Sequence, residues 1–199
     1  MIITGNSTGI EQKRINPMRD LWQMWSGSLP EQSVKMILDK ASNNQVERAT
    51  TFSSEASSVR SSQVSWLSED QEVLGLLWPY VEKANITAFG VNVSSDAEIQ
   101  YTEYHSHEGG HYDWHIDVNW DNEEVDLDRK LSVTVQLSDP SEYEGGDFEF
   151  SECPTPDPKH SKLKGTVLVF PSYLQHRVLP VTSGMRKSLV AWFSGPRWQ

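Results

Sequence analysis

The stretch HYDWHIDVNW, residues 111 to 120, spends two of the chain's six histidines and two aspartates within ten positions. Residues two apart on a strand project to the same face, so His115 and Asp117 would present an imidazole and a carboxylate side by side. Trp114, Ile116 and Val118 would then face the opposite layer. Two ligands do not make a metal site, and a lone His-x-Asp also occurs in strands that are simply polar on one face. His105, His107 and His111 offer a competing arrangement with His115, because spacings of four would align the last three on a helix and suggest zinc. Gly109-Gly110 interrupts that spacing and the flanking residues alternate, so these three histidines are read as loop residues or rim contacts.

A third ligand is found downstream, in FPSYLQHRVLPVTSGMRKSLVAWF. A hairpin turning around Thr182-Ser183-Gly184, with Pro180 opposite Arg186, would place Val178 opposite Ser188 and His176 opposite Val190. In that register His176, Arg186, Ser188 and Trp192 share a face. Two imidazoles and one carboxylate on the inner face of a small barrel form the facial arrangement that holds non-haem Fe(II) and leaves positions open. Arg186 could grip the far end of a ligand chelating that metal, because a guanidinium fork binds a carboxylate bidentately. A dicarboxylic 2-oxoacid fits both ends.

The elements that must position these residues divide the chain in two. Residues about 28–84 read as helical support. Val34, Ile37, Leu38 and Ala41 recur at helical spacing after Pro30, with Ser28 as cap. A second helix is expected from Ser68, capped together with Gln71, through Val73, Leu74, Leu77, Tyr80 and Val81 to Asn85, bent at Pro79. Residues about 85–195 alternate in short segments, among them ITAFGVNV, EIQYTEY, KLSVTVQLS, GTVLVF and KSLVAWF, bounded by Gly, Pro, Asp or Ser. Eight such segments suggest a jelly roll: a mainly β fold, a double-stranded β-helix with flanking N-terminal α-helices, in a single domain over 1–199. Leu131, Val133, Val135 and Leu137 lie on one face of a strand whose other face carries Ser132, Thr134 and Gln136, and a polar interior implies a bound group.

Taken together, His115-x-Asp117, His176 and then Arg186 resemble the iron- and 2-oxoglutarate-dependent dioxygenases of the prolyl 4-hydroxylase type. SSQVSWL, NITAFGVNV, YEGGDFEF, GTVLVFPSYLQHRVLPVTSG and RKSLVAWF are similar to blocks of its PKHD-like branch. The resemblance covers roughly residues 61 to 194. It implies that His115, Asp117 and His176 bind Fe(II), and that Arg186 binds the distal carboxylate of 2-oxoglutarate, with Ser188 as helper. It also implies that Tyr104, or Tyr101 in its place, approaches the cosubstrate. Gln136 stands where many relatives carry a tyrosine, and Trp192 matches an aromatic lining the metal pocket. The implied reaction couples oxidative decarboxylation of 2-oxoglutarate by O2 to hydroxylation of a peptide or protein residue or a free amino acid. Ascorbate would serve as reductant, and no side chain beyond the metal ligands would be catalytic. A cupin-like metalloprotein that does not use 2-oxoglutarate and a catalytically silent binding module of the same fold are the alternatives.

Composition narrows the partners. A formal charge of −11 over 199 residues disfavours a nucleic-acid backbone. No apolar run approaches the ~20 residues that span a bilayer, and the amino terminus lacks the form of a signal peptide. The lone Cys153 excludes an intrachain disulfide, so a cytoplasmic protein is expected. The acidic run from Asp121 to Asp128 reads as a solvated loop or as a flap that influences substrate choice.

Overall fold

The computed structural model describes residues 20–45, 47–49, 59–68, 70–120 and 126–199, and the backbone of a strand at the amino terminus. Strands β1 (Ile2–Asn6) and β2 (Asp20–Trp25) precede helix α1 (Glu31–Ser42). Strands β3 (Glu47–Arg48), β4 (Arg60–Ser61) and β5 (Gln63–Trp66) lead to helix α2 (Gln71–Ala84). Then come β6 (Ala97–His105), β7 (His111–His115), β8 (Leu127–Gln136), β9 (Tyr143–Gly145) and β10 (Phe148–Phe150). The short helix α3 (Pro158–Ser161) is followed by β11 (Val167–Pro171), β12 (His176–Val178) and β13 (Val181–Pro196).

Two antiparallel sheets result. The larger runs β1-β2-β11-β8-β13-β6-β5-β3, with β9 paired to β13, and the smaller runs β10-β12-β7-β4. The alternation in β8 decides which way the larger sheet faces. Leu131, Val133 and Val135 join Leu189, Ala191 and Phe193 of β13 beneath Val34 and Ile37 of α1 and Val73, Leu77 and Val81 of α2. The opposite face turns toward the smaller sheet. There Trp22, Met24, Leu168 and Phe170 pack with Phe150, and Tyr104 and Tyr143 pack with Val178 and Val181. This is the expected jelly roll with helices on one flank, except that β2 to β5 extend sheets from within or before the region read as helical support.

Local details differ from the sequence reading. Helix α2 is capped by Asp70, whose Oδ1 accepts from Glu72 N and Val73 N, both at 3.1 Å. Ser68 Oγ instead accepts from Ile99 N at 3.0 Å. The carboxylate is the better cap because it adds charge to hydrogen bonding at the positive helix end. Ser28 is not a cap either: Pro30 precedes α1, and Ser28 Oγ donates to Trp25 O. The segment ITAFGVNV is no strand. The helix continues as a wider turn over Asn85–Phe89 and stops at Gly90, φ 62°. The Asn85 side chain clasps Val91 through both its amide groups at 2.8 Å, satisfying the backbone that a strand ladder would have used.

The expected hairpin between His176 and Arg186 does not form. β12 pairs with β10 and β7 in the smaller sheet, whereas β13 pairs with β6, β8 and β9 in the larger. Pro180, which lacks the N–H of a ladder residue, ends β12. Residues 181–184 then pair with β9 and do not turn back. His176 and Arg186 therefore face each other across the sandwich.

Candidate metal centre and cleft

Pairing of β7 with β12 sets His115 directly beside His176, ring centroids 4.2 Å apart. Asp117 lies two residues beyond the end of β7, not on it. Its N–H donates to Ser172 O at 2.9 Å, which turns the carboxylate inward. The carboxylate oxygens stand 3.7 Å from His115 Nε2 and 3.6 Å from His176 Nε2. One ligand atom from each of the three residues lies within 4.8 Å of the others, the one such grouping of His, Cys, Asp and Glu among the described residues.

The backbone selects the tautomers. His115 Nδ1 is 2.7 Å from Asp113 O and His176 Nδ1 is 2.8 Å from Leu174 O. A carbonyl only accepts, so each Nδ1 carries the hydrogen and each Nε2 offers a lone pair. Burial, with His176 beside it, pushes the His115 imidazole down to about 3, so it is neutral near pH 7. Burial alone would raise the Asp117 carboxyl, but the positive charge that His176 or His115 takes up on protonation and the hydrogen bond from Ser132 outweigh it and hold the group below the usual carboxylate range. Ser132 Oγ donates to Asp117 Oδ2 at 2.6 Å and lies 2.9 Å from Ser172 Oγ. Two imidazoles whose Nδ1 hydrogens are turned to backbone carbonyls, leaving Nε2 toward the site, and an ionised, oriented carboxylate make the donor set a divalent metal takes, so the residues fit Fe(II).

The triad opens into a cleft walled by Phe148, Phe170, Val178 and Trp192. Across it, three strands of the larger sheet supply the polar groups. Arg186 of β13 is opposite Tyr104 of β6, and Ser188 stands between Thr102 of β6 and Gln136 of β8. Arg186 is 5% exposed, its guanidinium 5.5 Å from the Tyr104 ring centroid and its Nη1 3.4 Å from Ser188 Oγ. Among the described residues no carboxylate forms an ion pair with it. A buried cation without a counter-charge is costly, and an anionic ligand removes that cost. Gln136 Nε2 donates to the Tyr143 hydroxyl at 3.1 Å.

The cleft thus gathers His115, Asp117, His176, Tyr104, Arg186, Ser188 and Trp192. Tyr101 is excluded from it. Its ring packs in the helix-side core and its hydroxyl donates to Glu103 at 2.7 Å. The zinc-helix arrangement fails because residues 111–115 are extended. His105 pairs with Glu103, His107 is largely exposed, and His111 Nδ1 contacts Gly109 O. Cys153 is a half-buried loop residue whose thiol burial pushes up to about 11. Of the acidic run, residues 121–125 lie outside the described residues, and Asp128 accepts from Trp198 N. Sequence reasoning passed over Arg60, Gln100 and Tyr112, which also line the cleft. It also passed over the Ser132–Ser172 support, although the polar face of β8 pointed toward it.

Residues 99–194 match the family model described as the 2OG-Fe(II) oxygenase superfamily. A PKHD-type hydroxylase of Synechococcus sp. (strain CC9311) is 42% identical over 86 residues, covering 43% of this chain and 36% of that protein. A PKHD-type hydroxylase of Xylella fastidiosa (strain M12) is 36% identical over 101 residues, covering 47% and 41%. The chain therefore matches well under half the length of these relatives. The fold is that of a Pseudomonas putida prolyl-4-hydroxylase, TM-score 0.67 at 20% identity over 90% of this chain and 94% of the other. It is also that of a viral collagen prolyl hydroxylase from Paramecium bursaria Chlorella virus-1 solved with 2OG, TM-score 0.64 at 18% identity over 88% and 96%. Among the described residues no helix is long and apolar enough to cross a membrane.

Proposed function

We propose that the chain is a PKHD-like hydroxylase and that 1–199 act as one oxygenase domain, a reading supported by the match of residues 99–194 to the model of the 2OG-Fe(II) oxygenase superfamily. The observation that carries this reading is one cleft holding His115, an ionised Asp117 and His176 on one wall and, on the other, a buried Arg186 with no carboxylate partner among the described residues. Fe(II) would be held by Nε2 of His115, Nε2 of His176 and the Asp117 carboxylate, and when bound supplies O2 activation coupled to conversion of 2-oxoglutarate to succinate and CO2, with hydroxylation of a C–H bond.

The side chains have separate tasks. Arg186 binds the distal carboxylate of 2-oxoglutarate through its fork, and Ser188 steadies that guanidinium. Tyr104, facing Arg186 across the strand pair, limits how far the cosubstrate can swing. Ser132 fixes the Asp117 carboxylate so that its oxygens do not rotate away from the imidazoles. Phe148, Phe170 and Trp192 keep bulk water out, which strengthens each charged contact. No side chain serves as a general base.

The substrate is a residue of a peptide or protein, prolyl or other, or a free amino acid, and not nucleic acid, in keeping with the charge of −11. One unpaired thiol accords with a cytoplasmic setting, and ascorbate is the reductant. The test is succinate formation from 2-oxoglutarate, with and without Fe(II) and O2, against a panel of amino acids and peptides. Succinate that requires both and rises with one panel member is expected. A protein that binds Fe(II) but neither binds nor consumes 2-oxoglutarate overturns the reading in favour of a cupin-like metalloprotein.

A further inference from the structure

A second buried cation in the cleft has no use in the reading above. Arg60 of β4 lines the same cleft as the triad and is 8% exposed. Its Nε donates to Ser62 Oγ at 2.8 Å and its Nη2 to Gln100 Oε1 at 2.7 Å. The guanidinium carbon is 4.6 Å from the centroid of Tyr112, whose ring stacks on His115 with centroids 3.4 Å apart. One aromatic ring thus separates this charge from a proposed metal ligand.

Both hydrogen-bond partners of Arg60 are neutral, and among the described residues no carboxylate pairs with it. A guanidinium has five N–H donors, so three remain. Among the described residues lining the cleft Asp117 is the one carboxylate, and it belongs to the triad and accepts from Ser132. A second orphan belongs to another residue lining this cleft. Trp192 is 6% exposed, and its Nε1 is buried without a hydrogen-bond partner among the described residues. Its ring packs 6.3 Å from that of Trp66, and Trp66 is the register partner of Gln100, the residue that holds Arg60. Unused donors from a cation and an indole therefore belong to residues lining the same cleft, where an anionic acceptor would meet them. 2-Oxoglutarate does not supply it, since its distal carboxylate is assigned to Arg186 and its 2-oxo end to the metal.

We propose that Arg60 and Trp192 form a second anion site in the cleft, which receives a carboxylate of the molecule to be hydroxylated. This rests on the hydroxylase reading. The carboxylate can be the α-carboxylate of a free amino acid or an acidic group of a peptide. In either case it anchors the substrate beside the triad and fixes which C–H bond is presented.

The test uses the intact protein with Fe(II) and saturating 2-oxoglutarate under anaerobic conditions, so that Arg186 is occupied. Ligand-observed NMR follows binding of L-proline against L-prolinamide and of L-leucine against L-leucinamide. It also follows Ac-Gly-Asp-Gly-NH2 against Ac-Gly-Asn-Gly-NH2. In at least one pair the acid should bind about tenfold or more tightly than its amide, the size of one charge-assisted contact. The free amino acids and the peptide distinguish the two sources of the group. Arg60→Gln should bring that ratio close to one while the 2-oxoglutarate dissociation constant and the metal content stay at wild-type values. Trp192→Phe, which keeps a ring and removes the N–H, should lower the ratio in part even if Arg60→Gln fails to fold. Equal binding of acid and amide throughout, or a ratio that survives in folded Arg60→Gln, overturns the site. A 2-oxoglutarate titration run beforehand separates the two ideas: no binding there defeats the hydroxylase reading, whereas binding there without acid preference defeats only the anion site.

Discussion

Replacing Arg186 with Met removes the guanidinium but keeps most of an unbranched apolar stem. Arg186 is 5% exposed and its polar contacts are a 3.4 Å bond to Ser188 and the Tyr104 ring, so no internal carboxylate loses a partner. Removing one member of a buried ion pair costs about 2–5 kcal/mol, much of it from the charge left behind. Here the charge left behind is that of 2-oxoglutarate, so the whole cost falls on cosubstrate binding, roughly 30- to several-thousand-fold in dissociation constant. The ligand-free protein loses only the burden of a buried, unpaired cation, and its thermal midpoint should equal or exceed that of wild type. Cosubstrate at about 100 times its dissociation constant stabilises wild type by about 2.7 kcal/mol, and the same concentration should stabilise Arg186→Met far less. Arg186→Lys should recover part of the affinity, since an ammonium keeps the charge and loses the fork. The assay is anaerobic titration of the Fe(II) protein with 2-oxoglutarate, following the metal-to-ligand absorption band, beside thermal melts with and without cosubstrate. Wild-type affinity in Arg186→Met with its metal retained refutes the reasoning. A large loss of midpoint in the ligand-free variant does so too, because Arg186 would then be holding the fold.

Other outcomes follow from the same geometry. His115→Ala, Asp117→Ala and His176→Ala should each lose most bound metal while remaining folded, and undiminished iron in folded Asp117→Ala would count against the triad. Ser132→Ala removes the 2.6 Å hydrogen bond to Asp117 and should weaken metal affinity by about 10- to 100-fold, measured by competition with a chelator. Gly146→Ala places a Cβ at φ 62°, 2.9 Å from Arg186 Cδ. It should cost about 1–2 kcal/mol of stability for the left-handed backbone and raise the 2-oxoglutarate KM, both read from denaturation and steady-state kinetics. In the metal-free protein the His115 imidazole titrates near 3 when folded and near 6.5 when unfolded, so below about pH 6.5 the unfolded chain binds a proton that the folded one refuses. Stability should fall with decreasing pH toward about 3 by up to about 1.4 kcal/mol per unit, and Asp117, depressed in the fold, adds to the loss at the acid end. His115→Gln should flatten that slope in pH-dependent melts, and an unchanged slope would remove His115 as its source.

Residue type and alternation alone set which side of each strand is polar. Leu131, Val133 and Val135 had to be buried, so Ser132, Thr134 and Gln136 had to face elsewhere, and the same rule put Arg186, Ser188 and Trp192 on one face of β13. The residue types of His115, Asp117 and His176 were legible as candidate ligands, but Asp117 lies beyond the end of β7, so its turn toward the imidazoles came from the backbone bond to Ser172 and not from alternation. Which strand pairs with which was not legible, because the face is a local property and the partner is chosen by contacts distant in sequence. A hairpin between β12 and β13 satisfies every local preference from Gln175 to Phe193. It loses to a crossing in which His176 pairs with His115 and Phe150 while Arg186 pairs with Tyr104. The same limit hid Arg60, whose burial depends on a Gln100 that lies 40 residues away in the chain and on a Tyr112 that reaches it through β4–β7 pairing. A charged residue is read as exposed until folding supplies the walls that bury it, and only the tertiary structure could show two guanidiniums facing one triad.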